Sequence, residues 1–192
     1  MIVTISLEPD LKLVERLTFI QEDLGKILAA RGADSRWTRP EHMHLPLMIL
    51  AHQEPDEYPE ITRILSQVTQ NLPPFYLTVA GIGAYPSPEC PRFIMVGIDD
   101  KEGRVQALRN TLVSAFDKAS FPYDARPFHP GILLGRTVTN AGRVDLTDAM
   151  KAICDLNFGQ SEIFEVAVFG TTLLDTKPDY QVLARCPLGR CP

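Results

Sequence analysis

Of the four histidines in the chain, two fall in the stretch "PEHMHLPLMIL", residues 40–50. Read as a strand, it sends successive side chains to opposite faces. Met43, Leu45, Leu47 and Ile49 are then expected in a core, with His42, His44, Pro46 and Met48 on the other face. A third histidine, His129, stands in "RPFHPGILLGR". Imidazole titrates near neutral pH, so histidines facing a common ligand can give and take protons in one step. Which elements bring them together is a question for the rest of the sequence.

Apolar residues recur at helical spacing in "EPDLKLVERLTFIQEDLGKILAARG", "EPDEYPEITRILSQVTQN", "EGRVQALRNTLVSAFDKA" and "LTDAMKAICDLN". Between them, "FYLTVAGIGAYP", "RFIMVGIDD", "EIFEVAVFGTTLL" and "YQVLARCPL" read as strands. Gly81 and Gly83 in "AGIGAYP" are expected in a turn. They open neither GxGxxG nor GxxxxGK, so no phosphate loop follows. Each half runs long helix, histidine-bearing strand, second helix, further strands. That order predicts an α+β fold: a duplicated unit with pseudo-twofold symmetry, antiparallel sheets lining a central cleft and helices outside. No linker rich in glycine or serine divides residues 1–192, so one domain of two intertwined lobes is expected.

A net charge of −5 and a pI near 5.4 argue against a general basic field for long nucleic acid, so no DNA partner is expected. A few arginines can still hold a small phosphorylated ligand. Cys90, Cys154, Cys186 and Cys191 form no CxxC pair, and no metal spacing joins them to the histidines; neither metal nor cofactor is expected. Cys186 and Cys191 stand close enough to bridge a short loop, but free thiols and a cytoplasmic location fit better. The opening "MIVTISLEPD" alternates like a strand and lacks the pattern of a signal peptide. No apolar run approaches the roughly 20 residues of a membrane span, and a monomer is expected.

Four segments, in order, resemble one family. "SRWTRPEHMHLPLMILA", "VAGIGAYPSPECPRFIMVGI", "RPFHPGILLGR" and "FEVAVFGTTLLDTKPDYQVLARCPL" are similar to the 2H phosphoesterases, in particular the bacterial RNA 2′,3′-cyclic phosphodiesterases first described as 2′-5′ RNA ligases. That family carries two His-x-Thr/Ser motifs on pseudo-symmetric strands. The resemblance implies that one histidine activates water and the other protonates the departing ribose oxygen. Its hydroxyls donate to phosphate oxygens that gain charge. Here His44 matches the first histidine, Pro46 replaces the first hydroxyl residue, Gly131 the second histidine and Leu133 the second hydroxyl residue.

With those positions degenerate, the expected protein binds a nucleotide or an RNA terminus and catalyses weakly or not at all. His129 lies two residues before Gly131, as His42 lies two before His44. An active cyclic phosphodiesterase using the displaced pair His44 and His129 is the rival reading, and a protein-interaction module is a third. The resemblance places Arg136 at a phosphate-holding position, although a regular strand would put it on the opposite face from Gly131 unless the strand bends near Gly135. Tyr85 stands at an aromatic position suited to stacking on a base. Ile49 stands where some members carry a base-stacking phenylalanine, and Trp37 where the family has a structural tryptophan. Arg36, Arg39 and Arg126 flank the two key strands and would make the cleft mouth weakly basic.

Overall fold

A computed structural model describes residues 1–138, 144–174 and 177–189. In chain order the elements are β1 (Ile2–Leu7), α1 (Leu11–Ala29), β2 (Asp34–Trp37), β3 (Leu45–His52), α2 (Tyr58–Thr69), β4 (Phe75–Tyr85) and β5 (Phe93–Ile98). There follow α3 (Arg104–Lys118), β6 (Gly131–Val138), α4 (Thr147–Ile153), β7 (Asn157–Ile163), β8 (Glu165–Leu174) and β9 (Lys177–Pro187). The strands pair antiparallel in two sheets of order β3-β1-β8-β9 and β2-β6-β5-β4-β7. The chain crosses between sheets at Phe164, where β7 ends and β8 begins.

Helix α1 starts where the Asp10 carboxylate accepts the Leu13 amide, and it buries Leu13, Leu17, Leu24 and Leu28. It packs with α4 on the five-stranded sheet, over Ile94, Val96 and Ile132. Helices α2 and α3 pack on the four-stranded sheet, over Val3, Ile5 and Val168. Helices therefore lie outside, and the uncovered sheet faces turn toward each other where β3 meets β6. The fold is the α+β arrangement of two antiparallel sheets that the element order predicts.

The histidine segment departs from the expected strand. Pro40–His42 form a 3₁₀ turn with proline at its start, and β3 begins only at Leu45. The register then breaks. Pro46 pairs with Ser6 and Met48 with Ile5, which leaves Leu47 as a bulge. Beyond it the faces exchange: Met48 is buried, whereas Ile49 is 37% exposed. The expected places of Met48 and Ile49 are thus reversed. Gly81 and Gly83 also lie inside β4 rather than in a turn; Gly81 takes φ +82 beside a register shift.

Strand β6 repeats the bulge. Leu133 pairs with Met95 and Gly135 with Ile94, which leaves Leu134 unpaired. Leu47 stands three residues after His44, and Leu134 three after Gly131. The two halves thus share a backbone irregularity as well as an element order, which is the pseudo-twofold relation in physical form. Buried Gln21 of α1 donates from Nε2 to the Leu134 carbonyl at 2.8 Å and to that of Thr38 at 2.9 Å, so it anchors the second bulge.

Trp37 of β2 packs between Gly135 of β6 and Gly25 of α1. A Cβ at Gly135 would stand 2.5 Å from the indole, whereas one at Gly25 would make ordinary contact at 3.5 Å. Gly135→Ala is expected to cost on the order of 1–3 kcal/mol. Gly25→Ala, in a helix interior, should stabilise by roughly 0.5–1 kcal/mol. Urea unfolding of the two variants checks this, and equal effects would contradict the packing described.

Candidate functional site

A cleft of about 410 Å³ opens between the sheets, lined by Pro46, Met48 and Ile49 of β3, Met95 of β5, and Gly131 of β6. Its other wall is the loop between α3 and β6, with Asp124, Arg126, Phe128 and His129, backed by Arg109 of α3. The loop is fixed to β3 by a hydrogen bond that the Asp124 backbone N–H donates to the Ile49 carbonyl at 2.8 Å and by a bridge between Tyr123 and Leu50.

Register carries the floor outward from the cleft. On β5 and β6, Met95 opposes Leu133 and Phe93 opposes Arg136. Arg36 of β2 opposes Arg136, and Tyr85 of β4 opposes Phe93. These side chains share one sheet face. Arg136 reaches it because of the Leu134 bulge rather than a bend at Gly135. Its guanidinium lies 5.3 Å from the Phe93 ring centroid, beyond the residues that line the cleft. Tyr85 is 49% exposed and, with Arg36, lies on the same outer part of the face. Arg39 is drawn to Glu41 at 3.3 Å.

His42 and His44 are not among the residues that line this pocket, although Phe169, on which His44 stacks, shares the inner sheet face with Ile49 through Thr4. The His44 ring stacks on Phe169 at 4.8 Å and meets Tyr180 edge-on at 5.8 Å. His42 lies 4.3 Å from Tyr180, and its Nε2 is 3.3 Å from the Arg39 guanidinium. Burial brings the His44 pKa down to about 4; a backbone hydrogen bond at His42 pulls the other way, and the His42 ring adds a smaller drop. Among the described residues its buried Nδ1 has no hydrogen-bond partner. At neutral pH this ring is uncharged and a weak base.

The residues singled out by sequence therefore divide into three sets. His129, Pro46 and Gly131 share the cleft. His42 and His44 form an aromatic cluster with Phe169 and Tyr180. Leu133, Arg136, Arg36 and Tyr85 lie on the open floor. Where the resemblance implies a hydroxyl, an imidazole and a hydroxyl, the faces present the Pro46 ring, the bare Gly131 backbone and the Leu133 side chain. A Cβ at Gly131 would stand 3.0 Å from the Val96 carbonyl and 3.1 Å from the Met95 methyl, so the site is closed to a larger residue without movement.

Sequence reasoning missed Arg109, Phe169 and Tyr180. Arg109 carried a signal, a charged residue on the apolar stripe of Val105, Leu108, Leu112 and Phe116. Phe169 and Tyr180 carried none, because only the sheet order brings β8 and β9 beside the histidine turn. Among the described residues no group of His, Cys, Asp or Glu is arranged to hold a metal, and no helix is long and apolar enough to cross a membrane. Cys186 is buried with Sγ 3.3 Å from Ser66 Oγ; Cys191, its expected partner in the bridge reading, lies outside the described residues.

Comparison with known proteins bears on sequence similarity and fold. The family model of LigT-like phosphoesterases matches residues 7–95. An Archaeoglobus fulgidus protein named RNA 2′,3′-cyclic phosphodiesterase is 24% identical over 93% of this chain and 96% of its own. One of that name from Aquifex aeolicus is 22% identical over 80% of this chain and 82% of its own. Over residues 7–95, just under half of its length, the chain is similar to the LigT-like phosphoesterases. Among solved structures, TT0787 of Thermus thermophilus shares the fold with a TM-score of 0.79 and 21% identity, covering 99% of each chain. E. coli LigT complexed with 3′-AMP shares it with a TM-score of 0.73 and 18% identity over 97% of each chain. In this LigT-like chain both β3 and β6, each with its bulge, contribute residues to the cleft.

Proposed function

We propose that this LigT-like protein binds a nucleotide or an RNA terminus in its cleft and turns over cyclic phosphodiesters weakly or not at all. The observation that carries the reading is the carbon-only motif face: Pro46 and Gly131 in the cleft wall, with Leu133 beside them. An acid–base partner typically contributes about 10²–10⁴ in rate. An oxyanion donor contributes about 10²–10³. His44, packed on Phe169 with its pKa pushed down to about 4 by burial, is poorly matched to proton transfer near neutral pH. The apolar cleft lining and the open face of Phe93 and Tyr85 suit a base, and the E. coli LigT structures with 3′-AMP and ATP support a nucleotide as the class of ligand.

The rival reading, catalysis by His44 with His129, draws support from the relatives' names and from His129 lining the cleft. One experiment separates the two. Calorimetric titration with 3′-AMP is expected to show binding, while hydrolysis of 2′,3′-cyclic nucleotides stays near the uncatalysed rate and is unmoved by His44→Ala. Robust hydrolysis lost in both His44→Ala and His129→Ala would sink the proposal and establish the displaced-pair enzyme.

A further inference from the structure

Among the described residues, Arg109 is a buried cation without a counter-ion. The residue is 6% exposed, its Nη1 has no hydrogen-bond partner, and it lines the cleft. Two carboxylates stand near it, and both are engaged elsewhere. Asp124 accepts the Arg126 guanidinium, with Nε to Oδ2 at 2.8 Å, and also the Arg126 amide at 3.0 Å. That pairing holds the Asp124 pKa down to about 2. Asp117 accepts the Tyr123 hydroxyl at 2.8 Å. What faces Arg109 directly is aromatic: its Cζ lies 5.5 Å from the Tyr123 ring centroid and 5.8 Å from that of Phe128.

A buried, unpaired guanidinium is costly, and two rings offset only part of that cost. The rings also restrain the planar fork, so an anion would meet donors already in place. The charged and titratable lining of the cleft is Arg109, Arg126, Asp124 and His129. With Asp124 neutralised by Arg126, one positive charge is left over.

We infer that the cleft contains an oxyanion subsite centred on Arg109, which takes the terminal phosphomonoester of the ligand and lies on the α3 side rather than at the His44 and Gly131 motif positions. The subsite stands on the Arg109 geometry alone; it rests on the nucleotide reading only for what the phosphate is attached to. Apolar Pro46, Ile49 and Met95 line the same cleft and leave the remainder of the ligand a surface without charge.

The test is titration with inorganic phosphate, 3′-AMP and adenosine, together with thermal melts. Wild type is expected to bind phosphate, to bind 3′-AMP at least tenfold more tightly than adenosine, and to melt higher with phosphate present. Arg109→Met should weaken phosphate at least tenfold and bring 3′-AMP down to the affinity of adenosine. In phosphate-free buffer it should melt no lower than wild type, since it removes an unpaired buried charge. A purely structural Arg109 would lower the melt instead. Arg109→Lys keeps the charge and loses the fork; it should fold, melt like wild type and bind phosphate several-fold more weakly, and it decides the matter if the methionine variant does not fold. Unchanged phosphate affinity in these variants, or no phosphate binding by wild type, overturns the subsite. Equal binding of 3′-AMP and adenosine overturns it while leaving the nucleotide reading intact. Arg109-dependent phosphate binding with no nucleotide binding does the reverse.

Discussion

The triple variant Pro46→Thr, Gly131→His and Leu133→Thr is expected to raise hydrolysis of 2′,3′-cyclic nucleotides at least about 10²-fold over wild type, the low end of what one acid–base partner contributes. The three changes together put back an imidazole and two hydroxyls on the faces where β3 and β6 meet. Their separate factors do not multiply, because the groups act on one transition state. Two features hold the gain down. A histidine at 131 must displace the Met95 methyl and ease past the Val96 carbonyl at 3.0 Å. The methionine end can move, but the carbonyl belongs to the β5–β6 ladder. His44, with its pKa near 4, is also a weak base for activating water. Adding Met95→Ala should therefore increase the gain further, and His44→Ala in the triple variant should erase it. Pro46→Thr should be accommodated, since β3 is an edge strand and Pro46 is only half-buried. A folded triple variant with no gain would show that the strands no longer hold the geometry of the reaction.

Stability should fall between pH 7.5 and pH 4.5 through His44. The folded-state pKa of about 4 lies below the ordinary value of 6.5, so in this window the unfolded chain binds the proton that the folded chain refuses. Stability is therefore fully present above pH 6.5, is lost as pH falls toward 4, and changes no further from this group below that. The full effect is roughly 3 kcal/mol, with about 2 kcal/mol gone by pH 5. His44→Phe keeps a ring against Phe169 and removes the titration. Urea unfolding at pH 7.5 and pH 5 should show the wild-type loss and a nearly flat variant. The Asp124 carboxylate, paired with Arg126, titrates near 2 and leaves this comparison untouched. An equal acid loss in the variant would mean that the His44 ring is not held neutral by burial.

Much of the fold is legible in the sequence because local periodicity carries it. The 3–4 spacing of Leu13, Leu17, Leu24 and Leu28 can only bury on one helix face, and the alternation through Val3, Ile5 and Leu7 only on one sheet face. Their order along the chain implies an α+β duplication. The chemistry available at positions 46, 131 and 133 is equally a matter of residue type: Pro46 and Leu133 lack a hydroxyl and Gly131 lacks a side chain in any conformation. What the chain could not declare locally is register. A bulge at Leu47 or Leu134 exists only as a mismatch between two paired strands, and neither leucine differs in kind from its neighbours. Those bulges decide that Ile49 and Arg136 turn to the inner faces and that Met48 is buried. Tertiary structure alone also set His44 against Phe169 and Tyr180, and left Arg109 in the cleft with both nearby carboxylates already taken, since partners so distant in sequence meet only through the order in which the strands pair.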